Sequence, residues 1–266
     1  MADDDVLDSL RRFRKTRMPK SLAVVQEACT RLGYTAGKVT PSEVRSNFNE
    51  YLRHLFVTTL VVLEEYEQAI DAEQVIPQVV QLLADDVQRE REQMKREGDT
   101  TTAFQSAISR LLSGWHGLLR GLYLSIAQSR KQRGGKDFEY ELQSLLTLGD
   151  IPFEVQSQKD RADFIFPSSD LLYKERPKAV LLTAKRTLRE RWQEVVNELA
   201  AIQCPNTYLA TAEEKIASNA LSGIRARNIY VIVWDEVKSS RYQSEPFVVG
   251  YSKFLQDLTR HFLPQW

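Results

Sequence analysis

Short apolar runs alternate with helical segments in the second half of the chain, and this alternation limits the folds that the chain can adopt. A strand followed by a helix and then by another strand is typical of domains in which helices pack against a sheet. Strand-type runs cover residues 152–155, 164–166, 179–183, 207–210 and 229–234, and helical segments cover residues 188–202 and 213–222. We therefore predict an α/β (α+β) core with a mixed central sheet that is flanked by helices.

Helical patterns dominate the first half of the chain. Thr40, Pro41 and Glu43 form a helix-start pattern, with a hydroxyl cap, a proline in the first turn and an acid three residues after the cap. Apolar side chains at helical spacing predict further helices over residues 77–96 and 102–129. The chain should therefore begin with an α-helical N-terminal region.

We place the boundary between this helical region (1–110) and the α/β domain (111–266) near residue 110, because strand-type runs occur only in the second part. Gly134 and Gly135 predict an interruption of the preceding helix, since glycine weakens a helix interior. A new amphipathic helix is expected after them.

The charge balance excludes a histone-like protein that binds DNA through bulk charge, because 36 basic residues are matched by 36 acidic ones. DNA binding through a locally basic face stays open. Arg133 and Lys136, with Arg130 and Lys131 just before them, are the predicted phosphate contacts. The basic stretch 11–17 is either an arm that touches phosphates or a solvated tail.

The remaining composition points to an ordinary intracellular protein. Two cysteines are too few for a disulfide framework or a cysteine-rich zinc site. No apolar run reaches the roughly 18 residues of a membrane-spanning helix, and the acidic N-terminus lacks the apolar core of a secretion signal. We therefore expect a reduced cytoplasmic protein that has no membrane partner.

Three charged residues in the second half are spaced in a way that suggests chemistry. Asp163 opens a hydrophobic strand, Lys185 ends the next strand 22 residues later, and Glu198 follows after 13 more residues on a helix. Phosphodiester cleavage needs a cation that neutralises developing charge and activates water, and Mg²⁺ prefers carboxylates, waters and phosphate oxygens. A nearby lysine can orient the water. Two carboxylates and a lysine thus suffice for a nuclease site, although each residue by itself is typical of a surface charge.

The helix after Lys185 carries its polar residues in two places. Glu198 lies at the flank of the apolar stripe, where a carboxylate can lean toward the sheet. Arg189, Glu190 and Arg191 lie in the first turn, where they can project toward a ligand or form a solvated helix start with internal ion pairs.

Together these residues resemble the PD-(D/E)XK nucleases, specifically the restriction endonucleases that read a CCGG, CCNGG or CCWGG core. In that branch the acid beside the lysine is absent and a glutamate on the next helix replaces it, which is the pattern of Thr183 and Glu198. The resemblance implies that Asp163 and Glu198 bind the metal and that Lys185 is the catalytic lysine. It covers residues 130–200.

The resemblance also implies roles for residues outside that set. Glu139 matches the catalytic glutamate on the family's first conserved helix, which approaches the metal site, and Glu141 is the weaker match. The triplet Arg189-Glu190-Arg191 resembles the family's reader of C·G pairs. Arginine can bond bidentately to guanine, and glutamate can accept from the cytosine amino group.

The function that the resemblance implies is that of a type II restriction endonuclease with a restriction-endonuclease-like core. It would cleave double-stranded DNA with Mg²⁺ at a short palindrome with a CCGG-type core, leave 5′ overhangs, and act in a prokaryotic cytoplasm. A palindrome is read most simply by a symmetric homodimer, or by a higher oligomer built from it. The N-terminal helical region (1–110) would then serve dimerisation or contact DNA beside the cleavage site. Two alternatives stay open: a repair or recombination nuclease of the same superfamily, and a non-catalytic DNA-binding or interaction protein.

Overall fold

A computed structural model describes residues 2–98, 100–155, 162–188 and 192–263 of the chain. Two compact units are distinguished by their internal contacts. We call Met1–Lys20 with Val61–Arg133 the helical unit, and Ser21–Leu60 with Gly134–Trp266 the sheet unit.

Helices make up most of the described chain. The α-helices are α1 (Ala2–Arg17), α2 (Ser21–Leu32), α3 (Pro41–Ser46), α4 (Phe48–Ile70), α5 (Ile76–Leu82), α6 (Ala84–Arg96), α7 (Thr101–Leu148), α8 (Ser169–Lys174), α9 (Trp192–Ile202), α10 (Ser218–Arg225), α11 (Asp235–Arg241) and α12 (Tyr251–Asp257). The strands are β1 (Glu154–Val155), β2 (Phe164–Phe166), β3 (Val180–Ala184), β4 (Thr207–Ala210), β5 (Ile229–Val233) and β6 (Val248–Gly250). Among the described residues, no helix is both long and apolar enough to cross a membrane.

The sheet unit is organised around one mixed six-stranded sheet in the order β1-β2-β3-β4-β5-β6. Strands β1, β2 and β3 pair antiparallel, while β3, β4, β5 and β6 pair parallel. All five residues of β3 are buried, as expected for a central strand that is covered on both faces. The predicted mixed sheet flanked by helices is therefore confirmed.

The helical unit packs around a small apolar cluster. Leu7, Leu83 and Leu118 are buried together, and partly buried Val79, Trp115 and Leu122 pack against them. A buried carboxylate, Glu67, accepts a hydrogen bond of 2.7 Å from Arg130 Nε and lies 3.6 Å from Arg14 Nη2. These ion pairs compensate the charge of Glu67, which is 4% exposed.

Most predicted elements are present, and the exceptions have local causes. The capping box is confirmed: Glu43 N–H donates to Thr40 Oγ1 at 3.2 Å, and Thr40 N–H donates to the Glu43 carboxylate at 3.5 Å. The predicted helix 77–96 divides at Leu83 into α5 and α6. Strand β6 was not predicted.

The predicted break at Gly134 and Gly135 is wrong, since both residues lie inside the 48-residue helix α7. Gly134 serves close packing instead: a Cβ there would lie 2.7 Å from Arg186 Nη1. Residue 110 also lies inside α7, so a division at that residue does not coincide with the two compact units. The units interleave in sequence because α4 and α7 each contribute residues to both.

Candidate active site

The antiparallel pairing of β2 and β3 brings two predicted catalytic residues together at one edge of the sheet. Asp163 immediately precedes β2 and Lys185 immediately follows β3, and Phe164 is paired with Leu182. Lys185 Nζ lies 3.2 Å from Asp163 Oδ2, and the N–H of Ala184 donates to the same oxygen at 2.8 Å. The Asp163 side chain is only 11% exposed, so a backbone donor and a lysine together hold a nearly buried carboxylate.

Helix α7 presents a second acid and a second lysine to this pair. Glu139 is half-buried and its carboxylate pairs with Lys136. Burial raises the pKa of Glu139, and the negative charge of Asp163 raises it further, while Lys136 and Lys185 act in the opposite direction. The pKa of Lys136 is raised by its bond to Glu139 and also by the charge of Asp163. Two carboxylates and two ammonium groups therefore interact electrostatically at this edge.

Glu139 and Glu141 are the two candidates for the catalytic glutamate that the resemblance implies on α7, and their surroundings differ. Glu139 responds to the charges of Asp163 and Lys185. Glu141 instead is 1% exposed and responds to the charges of Asp137 and Arg186. Glu139 is thus the glutamate of α7 that faces the candidate site.

Arg186 and the buried acids of α7 form a charged layer next to the site. The guanidinium carbon of Arg186 lies 5.0 Å from the centre of the Phe56 ring, and its Nη1 lies against Gly134. Burial raises the pKa of Glu141 to about 8, the nearby charge of Asp137 also raises it, and Arg186 lowers it. The protonated form of Glu141 is therefore favoured beside the candidate site.

The oxygen donors at the sheet edge fit a magnesium ion. Mg²⁺ commonly uses one or two protein carboxylates and completes its octahedron with waters and substrate phosphates. Asp163 and Glu139 supply two such carboxylates. Within the described ranges, no three Asp, Glu, His or Cys side chains gather closely enough to hold a metal by themselves.

Glu198, the predicted second metal ligand, lies on α9 and is half-buried beside the buried residues Val196 and Leu199. Over the residues that can be placed, its carboxylate is not gathered with those of Asp163 and Glu139 into one three-acid set. Its position at the flank of the apolar stripe agrees with the spacing argument.

Thr183 replaces the acid of the more common motif and lies on the same face of β3 as Lys185, since side chains two residues apart share a face. One step beyond the pairing of Phe164 with Leu182, it stands opposite Asp163. Thr183 is 2% exposed, and its hydroxyl has no hydrogen-bond partner within the described part of the chain.

The predicted DNA-contacting residues are placed only in part. Arg189, Glu190 and Arg191 lie outside the described residues. Lys136 is exposed and pairs with Glu139 at the site, whereas Arg133 is half-buried, three residues earlier on α7 and at the end of the helical unit.

Sequence reasoning missed two residues that follow β4. Thr211 is fully buried, and its hydroxyl donates to the carbonyl oxygen of Arg186 at 3.2 Å. Glu213, predicted to open a helix, lies in the loop before α10 and accepts a hydrogen bond of 2.8 Å from the N–H of Leu188. The available signal was their position after a parallel strand neighbouring β3, since the carboxyl ends of parallel strands lie at one edge of a sheet.

Comparisons with known proteins give the family of the chain. Residues 103–255 match the family described as EcoRII C terminal, and this range is more than half of the 266 residues. The chain is 32% identical over 146 residues to the type II restriction enzyme SsoII of Shigella sonnei, a match that covers 51% of this chain and 48% of that enzyme. The chain thus spans about half the length of this curated relative.

Solved structures share the fold over nearly the whole chain. Metal-depleted Ecl18kI in complex with uncleaved DNA aligns with a TM-score of 0.81 and 22% identity, over 100% of this chain and 86% of that one. The restriction endonuclease PspGI in complex with substrate DNA aligns with a TM-score of 0.59 and 21% identity, over 94% of this chain and 95% of that one. The resemblance to restriction endonucleases predicted from residues 130–200 is confirmed. This chain belongs to the EcoRII C-terminal family.

Proposed function

We propose that the protein is a type II restriction endonuclease that cleaves both strands of a short palindrome in a Mg²⁺-dependent reaction. The observation that carries the proposal is the contact between Asp163 and Lys185 at the sheet edge, with Glu139 interacting electrostatically with both. The match to the family and the relative SsoII give the same reaction class. The substrate, DNA in a prokaryotic cytoplasm, follows from that class.

The side chains divide the chemistry between them. Asp163 and Glu198 are the proposed metal-binding carboxylates, and Glu139 is the further acid that approaches from α7. When bound, Mg²⁺ neutralises charge that develops on the scissile phosphate and lowers the pKa of the attacking water. Lys185, held at 3.2 Å from Asp163, orients that water or offsets phosphate charge. Lys136 and Arg133 contact neighbouring phosphates of the backbone.

The proposed recognition element is the triplet Arg189-Glu190-Arg191. It follows Leu188, whose N–H is bonded to Glu213 only a few residues from the catalytic lysine. The arginines would read guanines and the glutamate would accept from cytosine, which gives a CCGG-type core. We propose 5′ overhangs as the product.

A homodimer, which could build a higher oligomer, is the proposed assembly because a palindrome presents two equivalent half-sites. The helical unit exposes Phe104, Ile108 and Leu112, which follow one another at four-residue intervals on α7. Such a row lies on one side of a helix and suits a matching surface on a second copy.

The test is a digest of plasmid and phage DNA with and without Mg²⁺, using the wild type, Lys185→Ala and, as a matched control, Lys174→Ala. Lys174 is 76% exposed and pairs with Asp170, outside the candidate site. We expect discrete fragments from the wild type and Lys174→Ala, none from Lys185→Ala, and fragment ends within one CCGG-type palindrome.

Other outcomes would change the proposal in defined ways. A smear that needs Mg²⁺ and Lys185 would favour the repair or recombination nuclease. Intact DNA under all conditions, together with measurable DNA binding, would replace the enzyme by a DNA-binding protein. Equal cleavage by Lys185→Ala would remove the lysine from the reaction.

A further inference from the structure

Two loops at one edge of the sheet are joined by three hydrogen bonds. One loop follows β3 and the other follows β4. The N–H of Lys185 donates to the carbonyl oxygen of Ala210 at 2.9 Å, which continues the sheet pairing by one residue. The Thr211 hydroxyl then donates to the Arg186 carbonyl oxygen. The third bond, from the N–H of Leu188 to Glu213, lies farthest from the sheet.

We call these three hydrogen bonds, from Lys185, Thr211 and Leu188, the clamp. Thr211 attaches the clamp to the core of the sheet unit. Its N–H donates to the carbonyl oxygen of Ile232 at 3.0 Å, and its own carbonyl oxygen accepts a 3.0 Å bond from the Tyr251 hydroxyl. The N–H of Glu213 donates to the Thr211 hydroxyl at 3.2 Å. Glu213 therefore starts from a fixed backbone, and its carboxylate transmits that fixed position to Leu188.

The placement of the clamp links two parts of the proposed function. Lys185, at one end, is the proposed catalytic lysine. Leu188, at the other end, is the last residue before the proposed base-reading triplet 189–191. The bond from Leu188 to Glu213 is charge-assisted, and such bonds are stronger and more directional than neutral ones.

We propose that Glu213 is a positioning residue that couples base reading to cleavage by fixing the segment between Lys185 and residues 189–191. This inference rests on the proposed restriction activity. Without the Glu213 carboxylate, the N–H of Leu188 would lose its partner, and residues 186–188 would no longer be held in a fixed position after the proposed catalytic lysine. Cleavage of the correct sequence would then slow, while cleavage of sequences that differ by one base pair would change less.

The experiment compares Glu213→Ala, Glu213→Gln and the neighbouring exposed Glu214→Ala. Steady-state kcat and KM are measured in Mg²⁺ on duplexes with the correct site and with one base pair changed, and thermal unfolding is measured for each variant. For Glu213→Ala we expect kcat on the correct site to fall by about tenfold or more, with a smaller change in KM. The ratio of kcat on the correct duplex to kcat on the changed duplex, which we call the sequence ratio, should decrease. Glu213→Gln should retain the wild-type ratio because its amide oxygen accepts the same bond, and Glu214→Ala should match the wild type.

Thr211→Val and Thr211→Ser provide a second route if Glu213→Ala does not fold. Valine removes the hydroxyl that accepts a hydrogen bond from the N–H of Glu213, so Thr211→Val should decrease the sequence ratio. Serine keeps that hydroxyl, so Thr211→Ser should leave the sequence ratio unchanged. An unchanged ratio in Glu213→Ala, or equal losses in Glu213→Ala and Glu213→Gln, would overturn the proposal.

Hydrogen exchange separates this inference from the proposed function. The Leu188 amide should exchange more slowly in the wild type and Glu213→Gln than in Glu213→Ala, whether or not DNA is cleaved. Slow exchange in a protein that cleaves no DNA would refute the restriction activity and with it the coupling role, but not the clamp. Equal exchange in all three proteins would refute the clamp itself.

Discussion

The two compact units differ in how far their apolar side chains are buried. Of the twelve largest fully buried side chains in the described chain, eleven belong to the sheet unit and only Leu10 to the helical unit. The large hydrophobic side chains that are exposed show the opposite distribution, because nine of thirteen lie in the helical unit: Val61, Ile76, Val80, Val87, Phe104, Ile108, Leu112, Tyr123 and Leu124. The sheet unit therefore closes a core of its own, whereas the helical unit leaves apolar surface that is suited to a partner.

The units also differ in how a buried carboxylate is compensated. In the helical unit, the buried carboxylate Glu67 is compensated by Arg14 and Arg130. In the sheet unit, Glu141 lies near both Asp137 and Arg186, and its pKa is raised to about 8. The charge of Glu67 is thus compensated by ion pairs, whereas burial favours the protonated form of Glu141.

The largest effect should come from the sheet edge. Asp163→Asn keeps the shape of the side chain but removes the charge that faces Lys185 and a metal. We expect single-turnover cleavage in Mg²⁺ to fall on the order of a thousandfold, without a change in assembly state. Asp170→Asn, at an exposed position on α8, is the matched control. Cleavage within tenfold of the wild type would show that the sheet edge does not carry the chemistry.

The next largest effect should come from the uncovered face of the helical unit. Leu112 is 54% exposed, and Leu112→Glu places a charge in the apolar row on α7. If a second copy covers this row, the dissociation constant of the dimer should rise about thirtyfold or more, measured by analytical ultracentrifugation. Ser113→Glu, at an exposed polar position about 100° around the same helix from Leu112, should leave the constant unchanged. Equal association of both variants would mean that the dimer uses another surface.

The sequence predicted the sheet unit better than the contacts that support its site. Residues 164–166 and 207–210 are strands with the predicted bounds, because short runs of β-type residues between turn residues are a strong local signal. Asp163 and Lys185 were predicted to act together, and they are in contact. The role of Gly134 could not be predicted, since the side chain that needs its space, Arg186, comes 52 residues later.

The same limit explains why Thr211 and Glu213 were missed. Their hydrogen bonds go to Arg186 and Leu188, 25 residues earlier, and depend on the parallel pairing of β3 with β4. Periodicity reports which face of an element is buried, but not which loops meet at the edge of a sheet. Long-range polar contacts are therefore found from the fold rather than from local pattern.

A smaller effect should appear in the pH dependence of stability of the sheet unit. The pKa of Glu141 in the folded protein is about 8, above its ordinary value of 4.5, so folding favours the protonated acid. This stabilising contribution is fully present below the ordinary pKa and is lost as the pH rises through 8. Glu141→Gln removes the titration and should raise the free energy of unfolding at pH 9 by about 1–3 kcal/mol, with little change at pH 5. Denaturant unfolding of both proteins at pH 5 and pH 9 measures this difference in the free energy of unfolding. An equal difference at the two pH values would contradict the role of burial.

The smallest effects should distinguish the two neighbouring glycines of α7. A Cβ at Gly135 meets no atom within 4 Å, so Gly135→Ala should stabilise the protein by about 0.5–1 kcal/mol through helix propensity alone. A Cβ at Gly134 would displace the Arg186 guanidinium, whose residue adjoins Lys185, so Gly134→Ala should lose that gain and slow cleavage. Thermal unfolding of the two variants measures the change in stability, and single-turnover cleavage measures the change in rate. If the two variants behave alike, the close approach of Arg186 to α7 does not position the catalytic edge, and the charged layer beside it contributes to stability alone.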